Sequence, residues 1–261
     1  MTIAMNRGDW TSTQGRVIYN FTPISRTMTL TIEEFKSLIN HYDYGHPHRL
    51  AFLLMGCYGL RSVEVCNIKF DMFFDEAKFL VYPIAKSTSK VYKTGTRTVH
   101  VKTRRVELFS ALRKEVKWYL ENNYHMFKNR FIFGFSKDSL RRYLARLRRD
   151  AENNVITDPV LKKLLLDQEG SRYGFGINVQ NAYRFTLHSF RRFFITYFYN
   201  VVSGKDIVFT QLEIGHQLKE TTMIYVKRPE AIGLPDGIKG KVLDFESLFY
   251  AKNQKTLKDY N

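Results

Sequence analysis

TLHSFRRFFITYFYNVVSGKDIVFTQLEIGHQLKETTMIYVKR, residues 186–228, is the stretch around which the chain is organised. It contains a His-x-x-Arg motif (His188 and Arg191), a Gly-His pair that ends in His216, and Tyr225 nine residues after that histidine. An arginine can hold the charge of a phosphodiester, an imidazole can move protons, and a phenol can attack phosphorus. Each piece alone is common, so the indication of phosphoryl chemistry comes from their order and spacing.

Apolar periodicity predicts that these functional groups lie at helix ends. An apolar helix over 190–202 places the His-x-x-Arg motif near its N-terminus, where unpaired backbone N–H groups favour phosphate. A second short helix covers 208–216, and residues 221–226 form the segment that presents Tyr225.

A buried helix further upstream delivers another arginine. Residues 50–60, LAFLLMGCYGL, are apolar on nearly every face, and Arg61 follows directly. An unpaired buried guanidinium is costly, and Glu64 lies one helical turn further on, where it can orient that guanidinium. An ordinary arginine–glutamate helix pair explains the same pattern, so the residues themselves leave both interpretations open.

Residues 78–101 are predicted to form a β-hairpin. Two runs, KFLVYPIA and RTVHV, are rich in the β-branched and aromatic residues that favour strands. The segment between them, KSTSKVYKTGTR, reads as a polar loop that could contact the phosphates of a nucleic acid. Its cations include Lys86, Lys90 and Lys93.

Helical patterns account for most of the remaining chain. Thr31 and Glu34 have the spacing of a capping box at the start of a helix over 31–43, and a Gly-His-Pro-His turn at 45–48 follows it. Further helical patterns occur at 105–124, 159–167 and 242–250. With one hairpin and many helices, the sequence predicts a mainly helical α+β fold with a small antiparallel β-sheet.

One predicted helix is strongly basic. Ser136 has the position of its N-cap, and the helix that follows, DSLRRYLARLRRDAE, carries an apolar stripe along one side. Its opposite side carries arginines, namely Arg142, Arg146 and Arg149 on one face with Arg141 and Arg148 beside it. Such a face either contacts phosphates or is simply solvated.

The overall composition favours a polyanionic partner. The chain of 261 residues carries 41 Lys and Arg against 25 Asp and Glu, a difference of 41 − 25 = +16. A field of this sign attracts nucleic acid first and an acidic membrane surface second. A basic protein without any polyanionic partner is the remaining interpretation.

Cysteine usage and hydropathy indicate a soluble intracellular protein. Cys57 and Cys66 lie in apolar surroundings without a Cys-x-x-Cys motif, so we expect neither a disulfide framework nor a structural zinc site. No apolar run approaches the roughly 18 residues of a membrane span, and the N-terminus lacks a signal pattern.

The motifs together resemble the catalytic domain of the tyrosine recombinases, the phage-integrase type of DNA strand-exchange enzyme. Gly59-Leu60-Arg61 followed by Glu64 is similar to that family's Gly-Leu-Arg-x-x-Glu box, and 186–228 is similar to its C-terminal active-site region. The resemblance spans residues 30–230 and implies a breaking-and-rejoining DNA strand transferase that needs neither metal nor ATP nor another cofactor.

The resemblance also implies what the matching residues do. Tyr225 would attack phosphorus and form a 3′-phosphotyrosine linkage, and His188 is the candidate base. The phosphate would be bound by Arg61 and Arg191, with a further hydrogen bond from His216 and support from Glu64. A lysine near the β-turn would protonate the leaving 5′-oxygen; Lys86 is the best match, and Lys90 and Lys93 compete with it.

The implied organisation has three parts. Residues 1–28 form an N-terminal arm, 29–230 the catalytic domain with an atypical insertion at 153–185, and 231–261 a C-terminal tail. That tail either is exchanged between protomers of a homo-oligomer, a tetramer on double-stranded DNA, or packs on its own domain. The N-terminal helical domain common in the family is not evident, which suits a minimal recombinase, a catalytic fragment, or a protein that uses its arm and its basic helix instead.

Other functions remain open at this point. A type IB-like topoisomerase would use the same chemistry to relax DNA without exchanging partners. A non-catalytic DNA-binding protein could use the same fold, although candidates at all six catalytic positions argue against that. The position after Arg191 is Arg192, where the family commonly has a histidine. A site-specific DNA recombinase or integrase is the interpretation that the motifs favour. The resemblance implies a protein of the cytoplasm or the nucleoid, and it is compatible with an origin in a virus or another mobile element.

Overall fold

The computed structural model describes residues 28–93, 96–166, 185–216, 219–227, 229–234, 245 and 249–250, with backbone only for 86–93, 96–101 and 229–230. The predicted arm at 1–28, except Met28, and most of the insertion and of the C-terminal tail therefore lie outside the described residues. The described helices are α1 (Ile32–Asn40), α2 (Pro47–Tyr58), α3 (Ser62–Cys66), α4 (Ser110–Asn123), α5 (Lys137–Glu152), α6 (Pro159–Leu166), α7 (Leu187–Tyr197), α8 (Ile207–Ile214) and α9 (Lys219–Met223). Shorter 3-10 turns occupy Phe70–Met72, Tyr124–Met126, Lys128–Arg130 and Pro229–Ile232, and a π-helical turn, Phe198–Val202, extends α7.

The described strands form one antiparallel sheet. Its order is β1 (Phe73–Phe74), β2 (Phe79–Lys93) and β3 (Thr96–Glu107). The register of the β2–β3 ribbon shifts between Pro83 and Thr88, which introduces a bulge. These elements confirm the predicted class, a mainly helical α+β fold with a small antiparallel sheet.

Two predictions about this ribbon are wrong. The segment expected to be a polar loop continues both strands, and Val91 pairs with Thr98 close to the tip. The helix expected from residue 105 begins only at Ser110, because Val106 belongs to β3 and pairs with Leu80. In both places cross-strand pairing outweighs the local pattern, since a strand is stabilised by its partner more than by its own composition.

Helix starts follow local chemistry closely. The capping box of α1 is confirmed, because Glu34 N donates to Thr31 Oγ1 at 3.1 Å and Thr31 N donates to the Glu34 carboxylate at 2.8 Å. The predicted turn at 45–48 instead starts α2, with His46 as N-cap and Pro47 in the first turn. Proline suits that position, because its missing N–H would have had no helical partner.

The centre of the core is the packing of α2 against α7. Phe52 stacks on Phe190 at a centroid distance of 4.8 Å, and Phe35 from α1 meets the Phe190 ring edge-on at 5.6 Å. Gly56 allows this approach, because a Cβ built there would lie 2.2 Å from the Phe35 ring. The packing fixes the ends of α2 and α7 relative to each other, and the predicted functional residues lie at those ends.

The described part of the C-terminal segment packs on its own chain. Phe249 is buried against Phe35 at 4.6 Å, and the Tyr250 hydroxyl donates to Glu115, which also forms a buried ion pair with Arg49 at 2.9 Å. Whether this segment is exchanged in an oligomer stays a prediction. Across the residues that the structure describes, no helix is long and apolar enough to cross a bilayer.

Candidate active site

The N-terminus of α7 places His188 and Arg191 as the sequence predicts. Thr186 is the N-cap, and its Oγ1 accepts from His188 N at 3.2 Å while Thr186 N donates to Ser189 Oγ at 3.0 Å. The helix then runs through the apolar segment into the π-helical turn. One turn of helix separates the two residues, so their side chains share a face.

His188 contacts the predicted nucleophile. Its Nε2 lies 2.7 Å from the Tyr225 hydroxyl, and the two rings meet edge-on at a centroid distance of 5.0 Å. With a neutral imidazole protonated at Nδ1, the phenol donates and Nε2 accepts. A general base must stand within hydrogen-bond reach of the proton that it removes, and this contact meets that requirement.

Arg191 is buried beneath these residues. Its guanidinium donates to the carbonyl oxygens of Gly59 and Ile214, the latter at 3.2 Å. Both carbonyls lie at helix C-termini, because α2 and α8 each end at a glycine of positive φ, Gly59 at 69° and Gly215 at 71°. A cation is favourable there, since the last carbonyls of a helix have no intrahelical partner.

His216 joins this cation to the segment that carries the tyrosine. Arg191 donates to His216 Nε2 at 3.1 Å, and His216 Nδ1 lies 3.0 Å from Thr222 Oγ1. Burial lowers the pKa of His216 to about 3, assisted by the charges of Arg191, Arg61 and His188. The ring is therefore neutral at pH 7. In this structure Nε2 accepts from Arg191 and is not a donor. The expected donation from His216 to phosphate stays a prediction.

Arg61 and Glu64 complete the cluster. The Arg61 guanidinium binds Glu64 Oε1 at 2.7 Å, and Arg61 N donates to Oε2 at 2.6 Å. Ala85 N from β2 donates to the same carboxylate at 2.9 Å, which ties the sheet to this corner. Burial lowers the pKa of Arg191 to about 10, with the charge of Arg61 as the next cause. Arg61 therefore acts electrostatically on Arg191 as well as pairing with Glu64.

The candidate lysines cannot be ranked from the structure. All three lysines, Lys86, Lys90 and Lys93, lie in β2, where the structure describes the backbone only. Ala85 precedes the first of them and contacts Glu64, so the strand reaches the cluster just before Lys86. The choice among the three lysines stays a prediction.

Sequence reasoning missed three residues around Tyr225. The Arg192 guanidinium lies 5.5 Å from the centre of the Tyr225 ring, and Thr196 Oγ1 donates to the Tyr225 carbonyl at 3.0 Å. Thr222 contacts His216 and is fully buried. Only Arg192 carried a signal, as a second cation directly after the His-x-x-Arg motif. The threonine contacts join segments that are distant in sequence or separated by a turn, so no spacing rule reveals them.

The basic helix α5 has the predicted two faces. Leu140, Leu144 and Leu147 are buried, and Ser139 N donates to the N-cap Ser136 Oγ at 3.1 Å. The exposed arginines are Arg141, Arg142, Arg146 and Arg149. Arg148 differs, because it is half-buried and donates to the carbonyl of Phe185 just before α7. The exposed face is thus available to a polyanion, while Arg148 has a structural contact.

The architecture is shared with solved structures of tyrosine recombinases. The XerA recombinase aligns with a TM-score of 0.52 at 21% identity, covering 80% of this chain and 64% of that one. The Tn1549 transposon integrase, in complex with transposon right-end DNA, aligns with a TM-score of 0.52 at 14% identity, covering 78% of this chain and 62% of that one. The fold is therefore that of the tyrosine recombinase catalytic domain.

The similarity to these proteins was found in the structure and not in the sequence. No protein-family model and no curated protein matches the sequence. The chain spans less than two thirds of the length of either solved structure. These structural likenesses establish the fold alone.

The lowered pKa values of two histidines predict a pH-dependent stability. His48 has a pKa lowered to about 4, mainly by burial, and His216 one lowered to about 3. Unfolded histidines titrate near pH 6.5, at about their ordinary pKa, so the unfolded chain binds more protons below that pH. We expect the free energy of unfolding to fall as the pH is lowered from about 6.5 towards 4.

Urea denaturation at several pH values measures this effect. His48→Gln should flatten the pH dependence, whereas His125→Gln, at an exposed histidine, should leave it as in the parent. An unchanged slope in the His48 variant would show that this histidine is not held neutral by the fold.

Proposed function

We propose that this protein is a site-specific DNA recombinase or integrase that cuts and rejoins DNA through a 3′-phosphotyrosine intermediate. The observation that carries the proposal is the 2.7 Å contact between His188 Nε2 and the Tyr225 hydroxyl, next to the Arg191–His216 pair. A base, a phenol and buried cations in one cluster are the groups that a metal-independent transesterification of a phosphodiester requires.

The nucleophilic step follows from this contact. Tyr225 attacks the phosphorus, and its proton passes to His188 Nε2. The bond from phosphorus to the 5′-oxygen breaks, and the proton that this oxygen needs comes from a cation of the β2–β3 ribbon, for which Lys86 is the candidate. A 5′-hydroxyl of a second strand then attacks the phosphotyrosine and gives its proton back to the cation of the ribbon. The bond from phosphorus to Tyr225 breaks, and His188 returns the proton to the phenol, which restores the tyrosine and joins the strands.

Two arginines stabilise the charge that develops on the phosphate. Arg61 retains 21% side-chain exposure, so its guanidinium can reach a phosphate while Glu64 holds the other edge. Arg191 lies deeper and has a buried Nε with no partner among the described residues. Donors fixed before the reaction are worth most in a site from which water is excluded.

The proposed partner is duplex DNA, which the protein binds as a homo-oligomer. The proposed location is inside a cell, where the protein acts on the DNA of a mobile element. The net charge of +16 and the exposed arginine face of α5 support such binding. Replacing Arg142, Arg146 and Arg149 by alanine should weaken duplex binding. The slope of log affinity against log salt should fall by up to about three, since each phosphate contact contributes about 0.9.

Fluorescence anisotropy over a series of salt concentrations measures that slope. The matched control removes the same charge from α4, as Arg113→Ala, Lys114→Ala and Lys117→Ala together, and should change the slope less. An unaltered slope in the α5 variant would show that its arginine face is merely solvated.

The activity itself is tested with labelled duplexes carrying candidate sites, followed by a denaturing gel. A recombinase gives a protein–DNA adduct at a defined sequence and strand-exchanged products. A type IB-like topoisomerase would relax supercoiled plasmid without exchange. Absence of any adduct, with intact duplex binding, would indicate a non-catalytic DNA-binding protein and would overturn the proposal.

A further inference from the structure

Thr222 connects two parts of the site that no motif links. Its side chain lies 3.0 Å from His216 Nδ1, and its carbonyl accepts from Tyr225 N at 2.9 Å. Thr222 is fully buried, as is Thr196, which holds the Tyr225 carbonyl from α7. The same threonine therefore contacts the histidine through its hydroxyl and the tyrosine through its backbone.

The hydrogen bonds of His216 define its tautomer. A guanidinium has only donors, so the 3.1 Å contact from Arg191 requires a lone pair on His216 Nε2. A neutral imidazole has one proton, which must then be on Nδ1 and point at Thr222 Oγ1. A hydroxyl accepts such a proton, whereas a hydrocarbon side chain of the same shape would not.

We propose that Thr222 is a positioning residue that fixes the ring and the tautomer of His216, and through that ring the guanidinium of Arg191. The value of this arrangement for catalysis rests on the proposed function. Without the hydroxyl, Nδ1 has no buried acceptor at this position, and the ring is free to turn or to move its proton to Nε2. A proton on Nε2 would face the Arg191 guanidinium, and that contact would be lost.

A purely structural role makes a different prediction. Thr222 is fully buried and its carbonyl binds Tyr225 N, so a loss of packing at Thr222 could displace Tyr225 directly. Valine keeps the shape of threonine and removes only the hydroxyl, while serine keeps the hydroxyl and removes the methyl group. If packing is what matters, Thr222→Ser is the worse variant; if the hydroxyl matters, Thr222→Val is.

The tautomer can be measured without DNA. In protein labelled with ¹⁵N in histidine, two-bond ¹H–¹⁵N correlation spectra at pH 7 distinguish a protonated Nδ1 from a protonated Nε2. The chain has 7 histidines, and the His216 pattern is identified as the one missing from His216→Gln. The parent should show a single tautomer protonated at Nδ1, Thr222→Ser should keep it, and Thr222→Val should lose it.

Covalent adduct formation provides the second readout. Thr222→Val should slow it about 10- to 100-fold, as small misplacements of catalytic groups do, while Thr222→Ser and the neighbouring control Thr221→Val stay near the parent rate. A parent His216 protonated at Nε2 overturns the inference even if the valine variant does not fold. So does a Thr222→Val variant that keeps the parent tautomer. If the spectra are as expected but the parent forms no adduct, the proposed function is wrong, whereas the positioning of His216 by Thr222 is still supported.

Discussion

Tyr225→Phe is expected to abolish the covalent protein–DNA adduct while leaving folding and DNA affinity at the parent level. Phenylalanine keeps the ring, which packs 5.0 Å from His188 and 5.3 Å from His216. It removes only the oxygen that contacts His188 Nε2. Loss of the attacking group in covalent catalysis costs at least about 10³-fold, so adduct and recombinant product should both fall below detection.

Nicked suicide duplexes make this loss measurable. The parent should accumulate an adduct at the 3′ side of the nick, and protease digestion should place the DNA on the peptide that contains Tyr225. Tyr199→Phe is the matched control, because Tyr199 lies on the π-helical extension of α7 and is also half-buried. An adduct that persists in Tyr225→Phe, or that maps to another of the 16 tyrosines, would refute the assignment of the nucleophile.

Arg61→Ala is expected to slow cleavage by about 10²- to 10³-fold with little change in duplex affinity, as loss of a transition-state donor does. Arg61→Lys should not restore the rate, because an ammonium cannot hold two phosphate oxygens with one planar fork. The measurement is a single-turnover time course of adduct formation with enzyme in excess over DNA.

Arg61 gives a sharper test than Arg191. Arg191 is 1% exposed and bonds the carbonyls of Gly59 and Ile214, so Arg191→Ala should also destabilise the fold. Removing a buried partner leaves those carbonyls unsatisfied. Arg113→Ala, at an ion-paired arginine of α4 outside this site, is the control for the loss of one positive charge. Parent-like cleavage by Arg61→Ala would show that this residue does not stabilise the phosphate during cleavage.

Much of the helical framework could be predicted from the sequence, because local rules dominate there. Thr31 and Ser136 cap helices in the structure as their positions indicate, and the apolar stretch after His188 forms α7. The gathering of Arg61, Arg191 and His216 into one cluster was expected only through the family resemblance. Their spacing of 130 and 25 residues carries no distance information of its own.

The extent of the β2–β3 ribbon and the contacts that surround His216 and Tyr225 could not be predicted in this way. Residues 105–107 have a helical pattern, yet they pair with β2, because the partner strand offers hydrogen bonds that the pattern does not reveal. Thr222 and Thr196 have no distinctive spacing, and Arg192 is marked only by its place directly after the His-x-x-Arg motif. Their importance comes from what they contact after the chain has folded.

The sequence by itself determined the class of fold, the starts of α1 and α5 and the order of the chemical groups, since capping, apolar periodicity and residue type are local properties. Only the tertiary structure decided that Arg191 is held by the carbonyl ends of α2 and α8, and that His216 accepts from Arg191 through Nε2 while its Nδ1 faces Thr222. The packing of α7 against α2 decides these contacts, because it brings helix ends together from distant parts of the chain. Burial then keeps His216 neutral, because a charged imidazole is costly where three other cationic or titratable groups already lie.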